Sequence, residues 1–559
     1  MARREWALSM LRAAYGRPIR TDLLAPHQAT AVSRLLAMLE WRRGAILADD
    51  VGLGKSYVAA GVARELIARG IDVDIIAPAS LVAQWKETLQ AFDLDLPIET
   101  HDKLARCDGF PGAAPERLIV VDEAHRFRNA ATKRYKALAL RSIGHRLLLV
   151  TATPICNELE DLASLVRLIA ADDELALDGV DSLDRAFHEG LRDALAIVLE
   201  ELVVRRGRKV LGPSLAFGAL QRFVVRYPIP DRNGPIADAI DRLEFPLVAR
   251  PSERRLLRGI LWRRLESSDA ALLDTLRRQA RFYRRARESL RDGFVMTKRD
   301  FLRLFGDDDG EPIQQLLFPS CWLSPPTSSS TSMAEVDAEL RRIDFLQRFL
   351  KRSDAKLAAL ERQIDDWRGE GTLLFTGSIA TALHLYRSLG PTRRAAVMTS
   401  KRCAAGDDRR RTREETIDSF RRREVEILIS TDVGVEGLNL QRARNVIHYD
   451  IPWNPVKLDQ RNGRAWRIGQ RQPFVRAAYF IPEERSSRAV LAAVASKNRL
   501  RRSVLIESAS LVDDALDSTG LPSCEGYGSK VAPVAIMLTR VRCRDGVSIR
   551  VFAAGGVHW

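Results

Sequence analysis

The stretch Ala45 to Ser56, A-I-L-A-D-D-V-G-L-G-K-S, constrains this chain more than any other. The apolar run Ala45 to Ala48 reads as a buried strand, and it breaks into a tight loop carrying Gly52 and Gly54. Lys55 and Ser56 then open a helix predicted to run to about Arg69. Strand, glycine loop and helix, in that order, are the context a phosphate-binding loop requires. The glycines let backbone N–H groups approach a phosphate, and the helix N-terminus adds partial positive charge. In such a loop Lys55 would reach the β and γ phosphates and the Ser56 hydroxyl would ligate Mg²⁺. One departure stands out: Asp49 occupies the place of the first glycine in the usual G-x-x-x-x-G-K-[ST] pattern. An ordinary strand-turn-helix has the same outline, so the loop needs support from elsewhere in the chain.

That support begins upstream. Leu24 to Trp41 has helical spacing, with Ala31, Leu35, Leu36 and Leu39 on one face and Pro26 suited to its first turn. Gln28 therefore sits at a helix start just before the phosphate strand. Its amide can read an adenine edge as both donor and acceptor, although a solvated polar residue on a helix would look the same. Downstream, the strands Val73 to Ala77, Leu118 to Val121 and Leu147 to Val150 are followed by P-A-S-L-V-A-Q-W, Asp122-Glu123-Ala124-His125 and Thr151-Ala152-Thr153-Pro154. Two carboxylates where an apolar strand ends can hold Mg²⁺ and polarise a water, and they can equally be solvated acids. Strands alternating with helices, with polar residues at the strands' C-terminal ends, indicate a doubly wound parallel sheet with ligands along that edge.

A second alternating block starts at Thr372, with strands read at Thr372 to Thr376, Ala395 to Thr399, Glu426 to Asp432, Asn445 to Asp450 and Arg476 to Ile481. Between the blocks, 157–370 reads as helical and strongly basic. Leu323 to Met333 is a linker by composition, and one helix is predicted from Ala334 to Trp367. The run Arg277, Arg278, Arg281, Arg284, Arg285 and Arg287 could grip a phosphate backbone or could be a solvated face with acidic partners. In the tail, Val541 to Arg544 and Val547 to Phe552 flank an Asp545-Gly546 turn and predict a hairpin. The expected divisions are 1–156, 157–370, 371–500 and 501–559.

Within the second block, Q-R-N-G-R-A-W-R-I-G-Q spans Gln460 to Gln470. Arg464 and Arg467, three residues apart, are expected on one helix face, and a guanidinium across a cleft stabilises charge on a transferred phosphoryl group. Two α/β lobes that complete one ATP site would couple nucleotide state to closure. The balance of 88 Lys+Arg against 73 Asp+Glu weighs toward a nucleic-acid partner, although an arginine-rich soluble surface has the same excess. The six cysteines form no C-x-x-C pair, and no apolar segment is long enough to span a bilayer. The expectation is therefore a cytoplasmic protein in a reducing compartment, with no membrane partner.

Taken in order, these motifs resemble those of the superfamily-two helicase-like ATPases, and within them the Swi/Snf-type DNA translocases. D-D-V-G-L-G-K-S, P-A-S-L-V-A-Q-W, the D-E-A-H box, T-A-T-P, L-L-F-T-G-S, S-T-D-V-G-V-E-G-L-N-L-Q and Q-R-N-G-R-A-W-R-I-G-Q occur in the family's sequence. The ending R-I-G-Q, the phrase D-I-P-W-N-P and a basic interlobe insertion containing V-V-R-R-G-R-K are particular to the Swi/Snf group. The resemblance implies an α/β fold of two RecA-like parallel-sheet lobes with a helical, basic insertion between them and a small C-terminal β element. It implies that Gln28 contacts adenine, that Gly52, Gly54, Lys55 and Ser56 cradle phosphate, and that Ser56 and Asp122 hold Mg²⁺. Glu123 would orient the attacking water, Arg464 and Arg467 would serve as fingers, and Gln460 would face the γ-phosphate.

The function expected is an ATP-dependent double-stranded-DNA translocase, the motor of a bacterial DNA-defence or repair complex with protein partners. A remodelling ATPase that works on RNA polymerase, an RNA-directed helicase and a nucleotide-gated scaffold are the alternatives. About twenty residues precede Leu24, which weighs against the polymerase role.

Overall fold

A computed structural model describes residues 22–106, 115–156, 158–207, 218–228, 235–248, 251–292, 332–350, 355–390, 392–406, 409–432, 438, 440–452, 455–467, 470 and 472–483, and the strands 536–543 and 546–553. The chain begins with α1 (Pro26–Trp41), β1 (Gly44–Leu47) and α2 (Lys55–Ile67), followed by β2 (Asp72–Ala77), α3 (Val82–Ala91), β3 (Ile98–Thr100) and the single turn α4 (His101–Leu104). After β4 (Arg117–Asp122) come α5 (Lys133–Arg141), β5 (Arg146–Val150), α6 (Leu159–Val166), α7 (Leu183–Glu189), α8 (Arg192–Leu202) and β6 (Val203–Val204). The six strands form one parallel sheet in the order β3-β2-β4-β5-β1-β6.

These strands are short continuous apolar runs because helices cover both faces. Leu35, Leu39, Val62 and Leu66 of α1 and α2 close one face over Leu47, Val120 and Leu148. Leu162, Val166, Val198 and Leu202 of α6 and α8 close the other over Ile46, Val121 and Leu149.

The second sheet runs β11-β10-β9-β12-β8-β13-β14-β7. Its members in chain order are β7 (Ala219–Tyr227), β8 (Thr372–Phe375), β9 (Ala395–Met398), β10 (Cys403–Ala405), β11 (Arg409–Arg410), β12 (Ile427–Ser430), β13 (Asn445–His448) and β14 (Phe474–Pro482). Strands β7, β8, β9, β12, β13 and β14 are parallel, and β10 and β11 add an antiparallel edge. The helices α9 (Pro235–Asp241), α10 (Pro251–Ser267), α11 (Asp269–Asp292), α12 (Met333–Phe349), α13 (Ala355–Asp366) and α14 (Ile379–Leu389) share one core with Leu374, Val397, Ile429 and Ile447. On the opposite face lie α15 (Arg413–Arg421) and α16 (Pro455–Ala465), the latter through Leu458 and Ala465. A separate hairpin pairs β15 (Ile536–Cys543) with β16 (Gly546–Ala553); it falls where the tail predicts one, but Gly546 pairs with Cys543 and Val547 with Arg542, so Gly546 belongs to the second strand and not to the expected Asp545-Gly546 turn.

Three expectations need correcting. Residues 158–204 belong to the first lobe, not to an insertion: the apolar faces of α6 and α8 are used against the first sheet, and Val203-Val204 pairs with β1. The strand β7 extends the second sheet beside β14, so the lobes exchange between Arg206 and Gly218. The predicted single helix 334–367 is two helices; Ser332 starts the first, its hydroxyl accepting from Glu335 N–H while the Glu335 carboxylate accepts from Ser332 N–H. Most of the predicted linker lies outside the described residues. The arginine run on α11 is largely matched by acids: Arg278 with Asp274, Arg284 with Asp344 at 3.5 Å, Arg285 with Glu288 at 2.8 Å and Arg287 with Asp337 at 3.2 Å. Among the described residues no helix is long and apolar enough to cross a membrane.

Candidate active site

The strands β4, β5 and β1 are neighbours, and their registers bring Asp122, Val150 and Leu47 to one level. Each strand therefore delivers its polar sequel, D-E-A-H, T-A-T-P or the glycine loop, to the same edge. In that loop Gly52 and Gly54 have φ of 92° and 79°, a region costly for residues with a Cβ. A Cβ on Gly54 would also collide with the Gln28 amide. Asp49 is not left-handed, so nothing in its backbone calls for glycine. Lys55 turns back over the loop, its Nζ donating to the carbonyls of Asp49 at 2.9 Å and Asp50 at 3.2 Å. Burial lowers its pKa against the pull of Asp49, Glu123 and Asp122. Ser56 lies in the first turn of α2.

Gln28 is buried. Its Nε2 donates to Leu53 O at 3.1 Å and its Oε1 accepts from Ala25 N–H at 3.0 Å, so the structure sets the amide against the phosphate loop itself. Asp122 is fixed by Trp85, whose indole N–H donates to Oδ2 at 2.8 Å, and by Glu123 N–H on Oδ1 at 2.8 Å. Trp85 is the last residue of P-A-S-L-V-A-Q-W, and nothing in its spacing announces this bond. Glu123 has φ of 50°, a strained conformation for a residue with a Cβ. Its Oε2 lies 3.2 Å from His125 Nδ1, which in turn is 3.4 Å from Thr151 Oγ1. Burial and Glu123 raise the Asp122 pKa, whereas burial acting on Glu123 is outweighed by His125 and Lys55, which hold that carboxyl low.

Helix α16 carries the second lobe's contribution. Its inner side is bolted to the second sheet: Arg461 Nε donates to Asp432 at 2.6 Å and its Nη1 to Asp450 O at 2.8 Å. Asn462 bridges His448 Nε2 at 2.9 Å and Tyr479 Oη at 3.1 Å. Nothing in the spacing of Arg461 and Asn462 along the chain marks them as anchors. Gly463, in contrast, meets Val51 of the phosphate loop with no room for a Cβ between them. The two lobes thus touch through α16 and the loop, and Arg464 lies close enough to Glu123 to lower its pKa.

Arg467 is past the end of the helix, which corrects the expectation of a shared helical face. The helix stops at Ala465 because its last carbonyls find other donors: Leu440 N–H reaches Arg464 O at 3.1 Å, and the Gln470 amide reaches Ala465 O at 2.9 Å. Arg467 still lies beside Arg464, and burial together with that cation lowers its pKa to about 10. Gln460 is half-buried on α16, seven residues before Arg467.

Residues 93–217 match the SNF2-related domain and residues 355–469 match the helicase conserved C-terminal domain. The chain thus carries the two domains found together in SNF2-related, helicase-like ATPases. It is 28% identical over 479 residues to the uncharacterized ATP-dependent helicase YqhH of Bacillus subtilis, covering 80% of this chain and 73% of that one. It is 24% identical over 502 residues to the DNA repair and recombination protein RAD54B of Gallus gallus, covering 81% of this chain and 51% of the relative. The chain thus spans about half the length of the latter. The SWI2/SNF2 ATPase core of Sulfolobus solfataricus, solved with double-stranded DNA, aligns over 86% of this chain and 96% of its own at 18% identity with a TM-score of 0.32, too loose an overlap to carry any argument. The SNF2-related and helicase C-terminal domains, with ATP-dependent helicases among the relatives, indicate a nucleic-acid-dependent ATPase that uses ATP.

Proposed function

We propose that this ATPase is a double-stranded-DNA translocase in which ATP and Mg²⁺ bind between the phosphate loop and α16. The observation that carries the reading is the packing of Gly463 on Val51, which brings Arg464 within electrostatic reach of Glu123 across the gap between the lobes. Lys55 and the loop N–H groups would hold the β and γ phosphates, with Gln28 bracing the loop and facing the base. The Ser56 hydroxyl and the Asp122 carboxylate are hard oxygen donors that suit Mg²⁺, with phosphates and water supplying the remaining ligands. The cation would neutralise charge on the transferred phosphoryl group.

Glu123, held anionic by His125 and Lys55, would orient the attacking water. Arg464 and Arg467 would stabilise the charge that develops on the γ-phosphoryl oxygens, with Gln460 beside them. The lowered pKa of Arg467 fits this role, because two clustered cations gain most from an anion placed between them. Reopening of the lobes after hydrolysis would return the second lobe to a new position on the DNA backbone. Phosphate contacts would dominate affinity, giving steep salt dependence and little base preference. A cytoplasmic motor of a DNA-defence or repair complex is the setting this reading favours.

The test is steady-state ATPase activity without nucleic acid and with single-stranded DNA, duplex DNA or RNA, each at two salt concentrations. Strong stimulation by duplex that weakens with salt is expected. Equal stimulation by RNA and duplex would overturn the duplex assignment.

A further inference from the structure

The first half of the phosphate loop is built against a residue that lies 157 positions later in the chain. Beyond β1 the backbone ladder continues: Ala48 N–H donates to Val204 O at 2.8 Å and Asp50 N–H to Arg206 O at 3.1 Å. Between these two bonds Asp49 turns its carboxylate onto Arg206. Oδ1 accepts from the Arg206 backbone N–H at 2.9 Å and from Nε at 3.1 Å, and Oδ2 accepts from Nη2. Asp49 is wholly buried, so its charge has been removed from water and depends on this fork. Its own carbonyl accepts from Lys55 Nζ. One continuous set of bonds therefore runs from Arg206 through the Asp49 side chain and peptide to the lysine expected to meet the phosphates.

We propose that Arg206 is a positioning residue for ATP turnover, holding the phosphate loop in its binding shape through Asp49. The inference rests on reading that loop as the ATP site. A loop tied at its first residue keeps its N–H groups aimed at one place before nucleotide arrives, and the binding step is spared the entropy of ordering it. The aspartate that stands where the phosphate-loop pattern has glycine is, on this account, the handle by which the loop is held. The neighbouring Arg205–Asp50 pair, at 3.7 Å and partly solvated, adds little. Arg206 lies two residues past β6, the first lobe's last strand, and on the second-lobe side the Gly218 carbonyl accepts from the indole of Trp466, between Arg464 and Arg467. Arg206 is thus fastened to the phosphate loop and Gly218 to the arginine-bearing segment.

The experiment compares wild type with Arg206→Lys, Asp49→Asn/Arg206→Gln and Lys55→Ala in the full chain. Each variant is assayed well below its own melting temperature for fluorescent-ATP-analogue affinity and for kcat and KM with duplex DNA. The neutral double variant leaves no unpaired buried charge, so it keeps the question open even where Arg206→Ala would not fold. The expected result is at least a tenfold rise in KM and in the dissociation constant for the double variant, with kcat changed less than threefold. Arg206→Lys keeps the charge but loses the fork and should fall between the two. Nucleotide affinity and KM within twofold of wild type in the double variant would overturn the proposal. Loss of binding in Lys55→Ala would then leave the ATP-site reading standing, whereas unchanged binding there would sink that reading itself.

Discussion

Gly463 of α16 packs directly on Val51 of the phosphate loop, and a methyl group at position 463 has nowhere to go. This is the point at which the lobe that holds phosphate meets the lobe that supplies arginine. The contact is apolar and tight, so it fixes the approach of Arg464 to Glu123 by shape, not by charge.

Gly463→Ala should therefore hold the lobes apart. Overpacking of this kind costs about 1–3 kcal/mol, enough to lower the population of closed protein by about fivefold to about a hundredfold or more. The expected outcome is a matching loss in kcat with nucleotide affinity of the first lobe retained. Adding Val51→Ala should restore much of the activity. A Gly463→Ala variant with full turnover would show that the contact does not limit closure.

The arginines of α16 and its exit should separate into two classes. Arg464→Ala and Arg467→Ala are expected to lower kcat by about 10³-fold or more, the range of a lost arginine finger, with melting temperature nearly unchanged. Arg461→Ala should do the reverse at first, destabilising the second lobe by about 3 kcal/mol because it strips the better partner from Asp432. Thermal melts beside single-turnover rates distinguish them.

Lys55→Ala and Glu123→Gln should each abolish most turnover, by about 10²–10⁴-fold for loss of the base, while duplex binding measured by anisotropy survives. Equal rates for wild type and Glu123→Gln would remove Glu123 from the site.

His448 gives the second lobe a dependence on acid. It is buried, stacked on Tyr479 at 4.7 Å, and burial followed by Arg461 lowers its pKa to about 3. The unfolded chain binds a proton there near pH 6.5 and the folded chain does not. Stability is then full above about pH 6.5 and is lost as pH falls toward 3, at up to about 1.4 kcal/mol per pH unit. Urea midpoints should fall between pH 7.5 and pH 5. His448→Gln should start lower and fall less steeply over the same range.

Much of the lobe architecture was legible because it is local. Nine strands of the two sheets are short apolar runs bounded by turns, and the polar residues that end them fall beside one another by topology alone. The same locality made Gly52, Gly54, Lys55, Asp122 and Glu123 readable as candidates, since each depends only on its neighbours along the chain. The strands β6 and β7 were not legible: a two-residue edge strand and a half-exposed one carry no periodicity to distinguish them from loop. Nor was it legible that Arg467 leaves the helix, because the donors that cap α16 come from Leu440 and Gln470.

By itself the sequence determined which residues stand at the ends of which strands, because glycine conformations, apolar runs and charge are properties of short segments. Only the tertiary structure decided what Asp49 is for, which arginines of α11 are already matched by acids, and that Arg461 and Asn462 face inward while Gly463 faces the phosphate loop. Those outcomes depend on which distant group arrives at hydrogen-bonding distance. A pairing across 157 positions leaves no periodicity in the sequence to mark it.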